Sequence, residues 1–193
     1  MNYSELSTAV AGYTHRDDIS AMFNTFVALF ESRVNRKLRV AAMETTATLV
    51  TSGGVIALPA DYLELRSVKT GTTTLQLVTP DRLLSANGSI PTVYSISGGN
   101  IYVNADCTLT IGYYQTIPPL TSSSDTNWLL TKHQDAYLSG VLAEAFIYTM
   151  DDTSASKNIT LRDQILDDIR HADKNSRWAG TPTRISPSNT LII

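Results

Sequence analysis

The stretch Ala136-Tyr137-Leu138-Ser139-Gly140-Val141-Leu142-Ala143-Glu144-Ala145-Phe146-Ile147-Tyr148-Thr149-Met150 decides how the rest of the chain is read. On a helical period Tyr137, Leu138, Val141, Leu142, Phe146, Ile147 and Met150 fall on every side of the cylinder. A helix that is apolar all round is either a membrane span or a segment packed on all sides by protein. Glu144 interrupts this one, and it is shorter than the roughly 20 clean residues a span needs. The reading is therefore a buried helix that other helices, and other subunits, must cover.

Working outward, Asp125 or Thr126 is placed to cap a short helix carrying Trp128, Leu129 and Leu130. A last helix is expected over roughly 154–177, with Leu161, Ile165, Leu166, Ile169 and Ala172 as one narrow apolar stripe and charges elsewhere, so it should lie on the outside of the bundle. Upstream, a short helix is expected over 4–12 and a long one from about Asp18 to Arg39. Ile19, Met22, Phe23, Phe26, Val27, Phe30, Val34 and Leu38 make the apolar face of the long helix. Its opposite side is small or neutral: Ala21, Asn24, Thr25, Ala28, Ser32 and Asn35 stand where a solvent-facing helix carries Glu and Lys. Two readings stay open there, a second packing surface and an ordinary exposed face with few charges.

Arg33, Arg36, Lys37 and Arg39 gather at the end of that helix. Cations at the negative helix end gain about 0.3–1 kcal/mol each, and the same cluster would suit nucleic acid or an acidic partner. Lys37 shares the azimuth of Ile19, Phe26 and Phe30, so by its last turn the helix has left a dry core. A buried Glu144 needs a partner, because an unpaired buried carboxylate is costly; Arg33 or Arg36 is the expected one. The subunit-contact candidates are Ala21, Thr25, Ala28, Ser32, Arg33, Arg36, Lys37 and Glu144.

From Met43 to Tyr114 the period changes to two. Seven short strands are expected, over 46–50, 55–58, 62–69, 73–78, 93–97, 101–104 and 109–114. Ser52-Gly53-Gly54, Thr70-Gly71 and Gly98-Gly99-Asn100 are turn signals between them, and Thr79-Pro80 reads as the start of a brief helix. The fold class is thus α+β: a bundle of three to four helices (1–42 and 117–178), an inserted small antiparallel β subdomain (43–116) and an extended C-terminal tail (179–193).

At 193 residues, with 42% hydrophobic and 17% charged residues, the chain can bury a real core and carries less charge than most surfaces do. A net charge of -3 argues against a general nucleic-acid binder. Cys107, the single cysteine, forbids an internal disulfide, and the polar run after Met1 is not a signal peptide, so a cytoplasmic product is expected. His15, His133 and His171 share no metal-ligand spacing, and no phosphate loop or nucleophile elbow occurs, so no cofactor, metal or catalytic residue is assigned. Glu31 with Glu44, or Asp61 with Glu64, is the kind of carboxylate pair glycoside cleavage uses, but 18 acidic residues produce such pairs by chance.

Three stretches carry a resemblance as a set: Asn35-Arg36-Lys37-Leu38-Arg39-Val40-Ala41-Ala42-Met43-Glu44, Leu58-Pro59-Ala60-Asp61-Tyr62-Leu63-Glu64-Leu65-Arg66-Ser67-Val68, and Asn127-Trp128-Leu129-Leu130 running into Asp135-Ala136-Tyr137-Leu138. Val93-Tyr94-Ser95-Ile96 followed by Gly98-Gly99-Asn100-Ile101 agrees. The chain resembles the head–tail adaptor (connector) proteins of tailed bacteriophages, especially short-tailed ones, over about residues 10–180. The resemblance implies a virion structural protein, not an enzyme. It implies about twelve copies in a ring below the portal, a tail nozzle and possibly fibres beneath, and a lumen through which DNA passes unread, with no membrane involved. It also implies that the C-terminal end reaches the portal, with Trp178, Arg184, Ile185, Leu191, Ile192 and Ile193 as the contact residues. The alternatives are a virion-associated cell-wall hydrolase, or a module that grips a fibre or glycan through Tyr94, Tyr102, Tyr113 and Tyr114.

Overall fold

The computed structural model describes residues 1–16, 18–86, 88 and 90–179. In chain order they form α1 (Tyr3–Thr14), a 3-10 turn (Asp18–Met22) running into α2 (Phe23–Lys37), then strands β1 (Glu44–Val50), β2 (Val55–Ala57), β3 (Tyr62–Thr70), β4 (Thr73–Thr74) and β5 (Gln76–Leu77). After these come α3 (Pro80–Leu84), β6 (Val93–Ser97), β7 (Asn100–Val103) and β8 (Thr108–Gln115), followed by α4 (Trp128–Lys132), α5 (Gln134–Tyr148) and α6 (Asp152–Trp178). The fold is α+β, helices at both ends of the chain and strands between them.

Helix α5 is the axis of the bundle. Every residue from Ala136 to Ala145 except Leu138 is buried, under α6, α2, α1 and α4 of the same chain. Over that length no second subunit is needed to cover it; exposure begins only at Ile147. Helix α2 approaches it closely at one point, where the Phe30 ring lies over Gly140. A Cβ at 140 would sit 2.1 Å from that ring, so glycine is required for the two helices to approach. Phe30 and Tyr137 meet edge to face at 4.9 Å, a contact worth about 0.5–1.5 kcal/mol beyond burial.

Three helix starts, those of α1, α4 and α6, are capped by side chains. Asn2 and Glu5 form a capping box on α1, the Asn127 side chain accepts the Leu130 N–H at 2.9 Å on α4, and Asp151 accepts the Ser154 N–H at 3.1 Å on α6. The end of α5 is less ordinary. Asp151 N–H bonds to Phe146 O and Met150 N–H to Ile147 O, closing a Schellman turn with Met150 at φ 59°. Glycine normally holds that left-handed position, and any other residue there costs about 1–2 kcal/mol.

The strands make two four-stranded sheets, in orders β1-β8-β3-β4 and β2-β7-β6-β5. Their shared core is Val68, Leu75, Tyr94, Ile101, Val103, Leu109, Ile111 and Tyr113. The single strand expected over 73–78 is two. Leu75, buried between them, donates its N–H to Val68 O, whereas Gln76 donates to Thr92 O, so the chain changes sheets at that residue. The sheets are antiparallel as expected apart from one pair, β5 with β6, which runs in parallel. A parallel pair needs a crossover, and the segment carrying α3 supplies it. A second correction concerns α6. Leu161 is half exposed and Ala172 exposed, while Arg162 is buried in line with Ala155, Leu166 and Ile169.

Candidate subunit-contact face

Helix α2 has two unlike sides. Phe23, Phe26, Val27, Phe30 and Val34 are buried, and Glu31 is buried with them. Thr25, Ala28, Ser32 and Arg36, with Ala21 of the preceding 3-10 turn, are exposed along the other side. Beside this row runs a groove of about 590 Å³ bounded by Ala28, Ser32, Asn35, Arg36 and Arg39 on the helix and by Leu63, Thr116, Ile117 and Pro119 opposite.

The groove floor is fastened by side chains of α2 to the backbone of the return segment. Asn35 Oδ1 accepts the Ile117 N–H at 2.9 Å, and Glu31 Oε1 accepts the Leu120 N–H at 3.1 Å and the Tyr137 hydroxyl at 2.9 Å. Asn127 Nδ2 in turn donates to Tyr137 Oη at 2.6 Å and to Pro118 O at 2.9 Å. Burial pushes the Glu31 carboxyl up to about 6, against the opposing pull of the Leu120 N–H and the Tyr137 hydroxyl. Burial likewise raises the Tyr137 hydroxyl, with the nearby Glu31 charge adding to it.

On the flank facing α5 and α6, five charges alternate in sign. Arg33 Nη2 donates to Glu144 Oε2 at 3.1 Å, and Arg33 Nε lies 2.5 Å from Glu144 Oε1. That shorter contact is an ion contact without hydrogen-bond alignment, since both atoms lack a bonding partner. Arg162 Nη1 stands 3.8 Å from the same oxygen while its Nε donates to Asp163 at 2.9 Å, and Lys37 Nζ reaches Asp163 at 3.0 Å. Burial works against ionisation of Asp163, but Arg162 and Lys37 outweigh it and hold the carboxyl below its usual range. The chain Arg33–Glu144–Arg162–Asp163–Lys37 ties three helices together.

The family model of the SU10 adaptor protein matches residues 1–186. The chain belongs to the SU10 adaptor protein family. It is a phage head–tail adaptor, as the three sequence stretches imply, and its role is structural, within the virion. A comparison with curated proteins finds no match.

The adaptor uses its candidate residues in two ways. Arg33, Lys37 and Glu144 are engaged within the subunit, Glu144 being only 4% exposed. Arg33 is thus the partner Glu144 required, and Arg36 is not. Ala21, Thr25, Ala28, Ser32 and Arg36 remain on the outer side, and Arg36 has no ion pair among the described residues. Trp178 ends α6; Arg184, Ile185, Leu191, Ile192 and Ile193 lie outside the described residues. The sequence reading missed two members of the buried networks. Glu31 falls four residues after Val27, on the apolar face, and Arg162 falls four before Leu166. The period alone marks both as charges placed inside.

A second cluster joins the bundle to the β lobe of the adaptor. Asp173 Oδ1 accepts the Ala41 N–H at 2.8 Å, Arg177 reaches Asp173 and Glu44 at 2.6 Å each, and Arg66 reaches Glu44 at 2.7 Å. Arg66 also donates to Tyr114 Oη at 2.7 Å with its guanidinium 5.4 Å from the ring centre. Among the described residues no helix is long and apolar enough to cross a membrane, and no three His, Cys, Asp or Glu side chains gather as a metal site.

Proposed function

We propose that the adaptor is a non-enzymatic ring subunit, about twelve copies seated between the portal and the tail nozzle, with DNA passing through the lumen unread. The copies are made in the host cytoplasm and assemble there. The observation that carries this reading is the uncovered outer side of α2, where Ala21, Thr25, Ala28 and Ser32 let another backbone come close, in a family whose role is to be assembled with other virion proteins. Residues past Trp178 meet the portal, with Arg184, Ile185 and the terminal Leu191-Ile192-Ile193 as anchors. An acidic chain suits a channel that must release its DNA.

The carboxylates considered for a hydrolase are already occupied, which favours the structural reading. Glu31 is held by Tyr137 and Leu120, Glu44 by Arg66 and Arg177, Asp61 accepts the Tyr113 hydroxyl and Glu64 pairs with Arg39. Of the four tyrosines considered for glycan contact, Tyr94, Tyr113 and Tyr114 are buried.

Mass measurement of the purified protein, alone and mixed with portal, tests the assembly. A discrete multi-copy complex is the expected result; a monomer that ignores portal refutes it. Deleting residues 181–193 should abolish portal binding, and retained binding would remove the tail assignment. A cleared zone on a peptidoglycan zymogram would return the hydrolase.

A further inference from the structure

A ring contact is heterologous, so an occupant of the α2 groove would come from a different surface of the same chain. One such surface is the turn between α5 and α6. Met150 is 88% exposed at the turn between α5 and α6, and Ile147 and Tyr148 beside it are about half exposed, at 46% and 51%. Tyr148 is steadied by Phe26, its ring centre 5.5 Å away. The turn thrusts a flexible thioether into solvent from a left-handed position that glycine would occupy without strain. Folding alone is served better by glycine there.

Charge is complementary between this turn and the groove. Two carboxylates follow Met150: Asp151, engaged as the cap of α6, and Asp152, which has no ion pair among the described residues. On the groove rim Arg39 is engaged by Glu64, and Arg36 is exposed and unpaired among the described residues. An apolar knob bordered by a spare carboxylate thus matches a cavity walled by Ala28, Ser32, Leu63 and Pro119 and bordered by a spare guanidinium.

We propose that the α5–α6 turn of one copy inserts Met150 into the α2 groove of the next, with Asp152 pairing to Arg36 of that neighbour. This rests on the self-assembly reading above and names the two surfaces that meet. The test uses full-length chains assembled on portal, with Cys107→Ala as background. Met150→Cys mixed with Ser32→Cys should give a disulfide-linked dimer on oxidation, and neither variant alone should. Arg36→Asp and Asp152→Arg should each weaken assembly about tenfold or more, since like charges then face each other, and the two combined in one chain should restore it. Met150→Gly should raise the melting temperature of the subunit while weakening assembly; a residue with only a structural role would leave assembly unchanged. Intact assembly without the cross-link and without charge-swap rescue overturns this contact and leaves the ring standing. A parent chain that forms no assembly with portal overturns both.

Discussion

The bundle and the β lobe bury polar groups in opposite ways. The bundle hides Glu31, Glu144, Arg162 and Asn127 among its apolar side chains and joins them across elements more than a hundred residues apart in sequence, as in Glu31 with Tyr137 and Arg33 with Glu144. The lobe hides hydroxyls. Thr51 bonds with the Cys107 backbone in both directions, at 2.8 and 3.1 Å, and the Ser95 hydroxyl, 1% exposed, has no partner among the described residues. Helices slide and rotate against one another readily, so a bundle gains from charges that match in only one packing. Strands have their register set by side-chain alternation and by turns, and the lobe needs no such matching.

The comparison can be broken first at Glu144. Glu144→Gln leaves Arg162 buried beside one carboxylate instead of two and should cost about 3 kcal/mol. Both tryptophans, Trp128 and Trp178, lie in bundle helices, so denaturant unfolding followed by tryptophan emission reads the effect directly. An unchanged midpoint would show that the buried charges do not hold the bundle. Gly140→Ala comes next. The added methyl meets the Phe30 ring, and overpacking of this kind costs about 1–3 kcal/mol, visible in the same signal.

Glu31→Gln works in the opposite direction and depends on pH. The folded carboxyl titrates at about 6 against an ordinary 4.5. A raised value means its contribution is fully present below about 4.5 and is lost as pH rises through 6. The difference amounts to about 2 kcal/mol. The variant keeps an acceptor for Leu120 and Tyr137. It should therefore match the parent near pH 4.5 and exceed it by up to that amount at pH 7.5, in thermal melts across the range. The smallest effect belongs to the lobe. Ser95→Ala removes an unpartnered hydroxyl and should leave stability the same or raise it by less than about 1 kcal/mol; a clear loss would mean the lobe also relies on buried polar contacts.

Helical faces and strand alternation were legible before any coordinates, because each depends on a local period. Residues 93–97 and the helix after Thr79-Pro80 fall where composition and turn residues put them. The change of sheet at Leu75 was not legible, since nothing local distinguishes a strand that continues from one that changes partners. Arg162 escapes a search for apolar stripes because it is charged, although it shares the phase of Leu166 and Ile169. At the contact face, the small residues of α2 were visible as an anomaly of composition. The groove beside them depends on Leu63 and Pro119 coming across from distant segments, which no spacing announces.

Glu44 accepts both Arg66 from the lobe and Arg177 from the last turns of α6, while Asp173 grips the backbone at Ala41. A pull applied to the chain's C-terminal end would therefore be delivered to the seam between the two halves of the molecule before it reached either core.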